Sequence, residues 1–208
     1  WLESRSEEIV SAARLVIIEP RQPEEFFATL GQALRRFNLR PPNFVEVAAG
    51  DGTKLPAALL LPPGMSRSRK YPVVVYTYGG PHAQVVTDSW PRTSGLFNHA
   101  LTTRGFVVFA VDNRGSAGRS RAFEGAVDRA LGSRQLPDQL AGVEWLRTQP
   151  WVDPNRIGIW GWSYGGYMMM WFAGHTERFE VLASMMGVYD LRSMWGATEE
   201  LWFVEHDL

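Results

Sequence analysis

The sequence predicts an α/β fold: a mainly parallel sheet flanked by helices, with a hairpin on its leading edge. Three observations carry this. Pro72-Val-Val-Val-Tyr-Thr-Tyr78 and Gly105-Phe-Val-Val-Phe-Ala-Val111 are apolar, β-branched runs without polar alternation, as strands covered on both faces require. Stretches at helical spacing separate and follow them. Gly161-Trp-Ser-Tyr-Gly165 lies between a third apolar run, 157–160, and an apolar helix expected from Tyr167 through Ala173.

The elements follow in order. Residues 9–18 are apolar enough for a strand or a short helix, and Pro20 and Pro23 end them. Phe26, Phe27, Leu30, Leu34 and Phe37 share one helical face, with acids leading and arginines trailing, as the helix dipole favours. Pro41 and Pro42 close this stretch, so residues 1–40 read as a connector onto a main domain over 41–208. Gly50-Asp-Gly52 between Phe44–Val47 and Ala57–Leu61 signals a hairpin. A helix is expected over 95–104 and another over 138–149, where Leu140, Val143 and Leu146 share a face. Trp151-Val-Asp-Pro-Asn155 reads as a turn, and one more strand falls within 179–188. A sheet that stops there leaves an unpaired edge.

Bulk properties narrow the function. The chain has 208 residues, 45% hydrophobic and 21% charged, enough for one substantial core. Its formal net charge of −1 argues against nucleic acid or an anionic membrane as partner. No apolar run approaches the roughly 18 residues that span a bilayer, and the N-terminus lacks a secretory layout. With no cysteine, disulfides, thiolate catalysis and cysteine-based zinc sites are excluded. That suits a cytoplasmic setting and is compatible with a periplasmic or secreted one. The four histidines show no metal spacing, and no cofactor is implied.

The chemistry centres on Ser163. In G-x-S-x-G between strand and helix, the serine sits on a strained turn whose neighbours must lack side chains. Gly161 and Gly165 provide clearance, and Gly166 lets the helix pack closely. A nucleophile so placed needs an oxyanion hole, a base and an acid to orient the base. One donor is the backbone N–H of Tyr164. A second is expected from the Tyr78-Gly-Gly-Pro-His82 loop, whose glycines admit a substrate carbonyl and whose Tyr78 hydroxyl can donate. Asp190 and His206 satisfy the order serine, acid, histidine, although a surface or core role is the default for both. His82 is better placed as a cleft residue than as a base. Asp112 and Arg114, at a strand's carboxyl end, are expected to brace loops, and the acid pairs at 7–8, 24–25 and 199–200 to be solvated. Trp162, Tyr164, Tyr167, Trp171 and Trp195 are candidates for a pocket wall, with core packing the ordinary expectation.

Tyr78-Gly-Gly-Pro-His-Ala-Gln84, Asp112-Asn-Arg-Gly-Ser116 and Gly161-Trp-Ser-Tyr-Gly-Gly-Tyr167 together resemble the prolyl oligopeptidase family of serine peptidases, most of all its dipeptidyl peptidase IV branch. The resemblance runs from about Pro41 to the C-terminus. It implies an α/β-hydrolase fold, with Ser163 as nucleophile and Tyr78 and Tyr164 as oxyanion donors. It also implies a β-propeller before this domain, and an acid and a histidine after two further strands. The chain is therefore expected to be the front portion of the domain, with its C-terminal part missing and residues 1–40 a connector that can include the end of the propeller. His82, Val188, Met194 and Trp195 are the expected substrate contacts. In the proline-selective branch, tyrosines after the next strand form the proline pocket. The stretch Val188-Tyr-Asp-Leu-Arg-Ser-Met-Trp195 is instead similar to the acylaminoacyl-peptidase branch. A peptide substrate is expected, as is a homodimer of the full-length protein. Two other readings stay open: a carboxylesterase of the same fold, and an inactive module without its base.

Overall fold

The computed structural model of the chain describes residues 40–89 and 93–197. The expected connector (save Arg40), its two elements, the three acid pairs and His206 lie outside the described residues.

Among the described residues, six strands form one sheet in the order β1-β2-β4-β3-β5-β6. β1 (Asn43–Ala48) and β2 (Lys54–Leu60) make the expected hairpin at the edge, antiparallel with Ala48 opposite Lys54. Its turn holds Gly52 at φ 83°, and Asp51 accepts the Thr53 N–H at 3.0 Å. β3 (Tyr71–Tyr76) lies at the centre, parallel to β4 (Val107–Val111) on one side and β5 (Val152–Trp162) on the other. β6 (Val181–Met185) continues the parallel run beside β5.

The strand order reverses direction at β3, because the chain moves to one side of it for β4 and the other for β5. In open α/β sheets the crevice at such a reversal, beyond the carboxyl ends of the strands, is where ligands bind. Here those ends are the residues after Tyr76 and after Trp162.

Alternation along the strands divides the core into two layers. Val73, Val75, Val107, Phe109, Val111, Ile157 and Ile159 face one side. They pack against Val143 and Leu146 of α3 (Gln135–Arg147) and Met168, Met169 and Phe172 of α4 (Tyr164–His175). Val108, Ala110, Tyr76 and Trp160 face the other side, which α1 (Thr93–Thr103) covers in part. Burying each large apolar side chain contributes about 1.5–3 kcal/mol, so this two-sided burial explains the uninterrupted apolar runs. β6 is different. Its residues alternate between exposed and half-buried, with Val181 63% and Met185 44% exposed.

Two boundaries differ from expectation. α3 starts at Gln135 because Pro137 falls within the first turn, where a missing N–H costs nothing. Residues 151–155 join β5: Val152 pairs with Tyr71 and Ile157 with Val73, so the residues between them bulge. Asp153 ties that bulge together by accepting from Asn155 N–H and Arg156 Nε. Two short α-helices were not foreseen, α2 (Arg121–Glu124), capped by Ser120, and α5 (Leu191–Ala197).

The loop after β4 is braced by charge. Arg114 binds the fully buried Asp138 carboxylate through Nε (3.0 Å) and Nη2 (2.6 Å), and its backbone N–H adds a third bond (2.8 Å). The other guanidinium edge meets the exposed Asp51. These partners raise the Arg114 pKa, Asp138 foremost. Removing one side of a buried pair strands the other charge, whereas an exposed pair is screened. Asp138→Ala is therefore expected to cost about 3 kcal/mol or more in urea denaturation, and Asp51→Ala, at the exposed and screened end of the brace, distinctly less. Equal losses would contradict this account of the brace.

Candidate active site

β5 ends at Trp162 and α4 begins at Tyr164, leaving Ser163 alone to turn the chain. It does so at φ 57°, ψ −121°, a conformation that non-glycine residues rarely adopt. The corner is held by backbone bonds: Ser163 N–H donates to Met185 O (3.0 Å), and Ser163 O accepts from Gly166 N–H (2.9 Å). A Cβ on Gly161 would stand 2.6 Å from Thr77 O, and one on Gly165 2.5 Å from the same atom. One on Gly166 would stand 2.5 Å from Gly187 Cα. All three glycines are thus required by close backbone approach, as expected from the motif. Ser163 itself is half-buried, at the N-terminus of α4, where the helix presents partial positive charge.

Thr77 O, which the elbow glycines approach, belongs to the chain leaving β3. Thr77 N–H donates to Trp160 O (3.1 Å), extending the β3–β5 pairing by one residue. That delivers Tyr78-Gly79-Gly80 beside the serine. The Tyr78 ring lies 6.3 Å from Trp162 and 6.2 Å from Tyr164, centroid to centroid. Gly80 fits between them: a Cβ there would meet Tyr78 Cε1 at 2.8 Å and Tyr164 Cγ at 3.0 Å.

The rest of this loop is stapled to the Asp112–Ser116 loop. His82 N–H donates to Gly115 O (2.9 Å), and Ala117 N–H to Ala83 O (3.3 Å). Asp112, buried, accepts from Val85 N–H (2.9 Å), Val86 N–H (3.2 Å) and Arg119 Nη2 (3.0 Å). Burial raises its pKa, and those three bonds oppose the shift. The bracing role expected of Asp112 and Arg114 is what the structure shows.

These walls enclose a cleft of about 370 Å³. Ser163, Tyr164 and Trp162 form its floor and Tyr78 to Val85 one wall, with Val188 and Met194 completing the lining. The structure thus brings together Ser163, Tyr78, Tyr164, His82, Val188 and Met194. Trp195, on α5 and 49% exposed, is not among the lining residues. Trp162 is 41% exposed and steadied by its Nε1 donating to Tyr76 Oη (3.3 Å), while Tyr164 is core. Asp190 is a helix cap: its Oδ1 accepts from Arg192 N–H (2.9 Å) and Ser193 N–H (3.4 Å), and the Arg192 bond foremost lowers its pKa.

The other described histidines are placed apart from Ser163 chemistry. His99 is buried on α1, and desolvation lowers its pKa. His175, at the far end of α4, stacks on Trp171 at 4.3 Å. Among the described residues no three histidine, cysteine or carboxylate side chains converge as for a metal, and no helix is long and apolar enough to cross a membrane.

Two contacts were invisible to sequence reasoning. His82 Nδ1 bonds to Glu124 Oε1 (2.7 Å), and Gln135 Nε2 donates to Tyr164 Oη (3.2 Å). The pairs are 42 and 29 residues apart, with no local pattern to announce them.

A serine at a strained strand-to-helix corner, facing a diglycine loop at a strand-order reversal, defines an α/β-hydrolase fold. Comparison with known proteins agrees and narrows this. Residues 93–208 match the prolyl oligopeptidase family, Peptidase_S9. Dipeptidyl-peptidase 5 of Porphyromonas gingivalis is 31% identical over 159 residues, covering 76% of this chain and 23% of that protein. Among solved structures, dipeptidyl peptidase 4 of Porphyromonas gingivalis superposes with a TM-score of 0.69 at 31% identity, covering 76% of this chain and 23% of that one. Acylaminoacyl peptidase of Pyrococcus horikoshii superposes at 0.75 and 26% identity, over 85% and 28%. The chain belongs to the prolyl oligopeptidase family. It spans about a quarter of the length of these relatives.

The Ser163 backbone makes a test of its own. Ser163→Gly relieves the positive φ, while Ser163→Ala keeps the strain and removes only the hydroxyl. Strain of about 1–3 kcal/mol, less about 0.5–1 kcal/mol for glycine's freedom in the unfolded chain, makes the glycine variant the more stable by about 1 kcal/mol. Denaturation midpoints check it, and a glycine variant no more stable than the alanine variant contradicts the geometry.

Proposed function

We propose that this chain supplies the nucleophile and oxyanion site of a serine peptidase acting on short peptides, in the manner of a dipeptidyl or acylaminoacyl peptidase. The observation that carries it is Ser163 at its strained corner, sharing one cleft with Tyr78 and the N-terminus of α4. Ser163 Oγ adds to the scissile carbonyl. The resulting oxyanion accepts hydrogen bonds from Tyr164 N–H and Tyr78 Oη, preorganised donors in a half-closed site. The amine leaves, an acyl-serine remains, and water releases the acid. A histidine of the full-length protein takes the serine proton and an acid orients it; Asp190, committed to capping α5, is not that acid, and His99 and His175 stand apart from the serine.

Val188 and Met194 give the cleft an apolar wall without a hydroxyl, suited to an apolar residue on the acyl side. His82, exposed and bonded to Glu124, stands at the opposite wall and contacts the substrate there. The names of the relatives support the peptide reading: one is a dipeptidyl-peptidase and another an acylaminoacyl peptidase.

The test uses the full-length protein with Ala-Pro, Gly-Pro and acetyl-Ala amides beside simple p-nitrophenyl esters. Amide hydrolysis that falls by about 10⁴-fold or more in Ser163→Ala is expected for a nucleophile. Tyr78→Phe is expected to lower kcat by about 10²-fold with little change in KM, the signature of a donor used in the transition state. Ester cleavage without amide cleavage would replace the peptidase with an esterase. Amide hydrolysis unaffected by Ser163→Ala would remove the proposal.

A further inference from the structure

α3 presents an unusual buried face. Gln135, Asp138 and Gln139 stand at i, i+3 and i+4, so they share one side of the helix, and all three are buried to within 1%. A core-facing stripe is ordinarily apolar. Each of these side chains instead reaches toward the carboxyl edge of the sheet. Gln139 Nε2 donates to Asn113 Oδ1 (2.9 Å) and to Val111 O (3.1 Å). Asn113 in turn donates to Gly79 O (3.4 Å), in the loop that carries Tyr78. Asp138 holds Arg114. Gln135 reaches past both to Tyr164 Oη.

The Tyr164 ring is the piece both walls share. Its backbone begins α4 directly after Ser163, and its ring lies against Gly80 and 5.1 Å from the Tyr167 ring. Because that ring packs against Gly80, a tilt of it presses on the Tyr78-Gly79-Gly80 loop. Burying an amide costs more than burying a hydrocarbon of equal size unless its bonds are made. Gln135 meets that cost with Oε1 left without a partner among the described residues, so packing alone does not account for a glutamine there.

We propose that Gln135 is a positioning residue: by holding Tyr164 Oη from α3 it sets the separation between the Tyr164 N–H and Tyr78, the two oxyanion donors. This rests on the reading of Ser163 as nucleophile. Gln139, through Asn113, grips the opposite wall, so one helix face fixes both sides of the site.

The experiment is fluorophosphonate inactivation of the full-length protein, with kinact and KI resolved separately. Gln135→Met keeps the volume and loses the donor; Tyr164→Phe keeps the backbone N–H and loses the hydroxyl. Each is expected to lower kinact about 5- to 10-fold, the worth of one hydrogen bond, with KI within about twofold. The double variant is expected to fall no further than either single one, because both remove the same bond. A folded Gln135→Met with kinact within twofold of wild type overturns the proposal, as do losses that multiply in the double variant. Should Gln135→Met fail to fold, an undiminished kinact in Tyr164→Phe overturns it equally. Wild type that is not labelled at Ser163 overturns the nucleophile reading and this one with it, an outcome distinct from normal labelling in the variants.

Discussion

One backbone contact organises this molecule: the carbonyl of Thr77 lies so close to Gly161 and Gly165 that neither can carry a side chain. That approach exists because β3 and β5 pair as neighbours and the pairing runs on to Thr77 N–H and Trp160 O. It fixes two things at once. The chain leaving β5 has no room to turn gradually, so Ser163 takes up the whole reversal at positive φ. The chain leaving β3 must pass directly over that corner, which sets Tyr78 and the diglycine beside the serine. The nucleophile and the loop opposite it are consequences of a single steric constraint.

Holding that arrangement is left to polar groups in a place where apolar ones would be cheaper. The carboxyl edge of the sheet is braced by Asp112, by the Arg114–Asp138 pair and by two buried glutamines of α3. A bidentate pair whose carboxylate is fully buried contributes little net stability relative to hydrocarbon, because desolvation offsets most of the attraction. What hydrogen bonds provide instead is direction. They hold loops at defined distances, which close-packed methyl groups do less selectively. The two hydrophobic layers on either side of the sheet supply the stability, and the polar bracing is confined to the edge where loops must be aimed.

Much of this was legible in the sequence because it is encoded locally. The runs at 72–78 and 105–111 declare strands buried on both faces, and Gly50-Asp-Gly52 declares its hairpin. The elbow is written in five contiguous residues whose glycines have no other explanation. Ser163, Tyr78, Tyr164, His82 and Val188 reach one cleft because each lies at the carboxyl end of a strand or in the loop or turn that follows it, and Met194 joins them from α5. Trp195 illustrates the limit, since a helix that follows the cleft turns some of its residues away from it. Contacts made at a distance could not be read. Glu124 and Gln135 look like ordinary helix residues in the sequence, and only the crossover that lays α3 beneath the elbow gives them partners. Pro137 lies inside α3 rather than ahead of it, because the first turn is where a helix accepts proline.

The account stands on the geometry around one oxyanion, and a crystal structure of the full-length protein after reaction with a fluorophosphonate measures it directly. The prediction is phosphorus bonded to Ser163 Oγ, with its oxygen about 2.7–3.1 Å from both Tyr164 N and Tyr78 Oη. Phosphorus on another residue, or an oxygen turned to solvent with neither donor in reach, would contradict it.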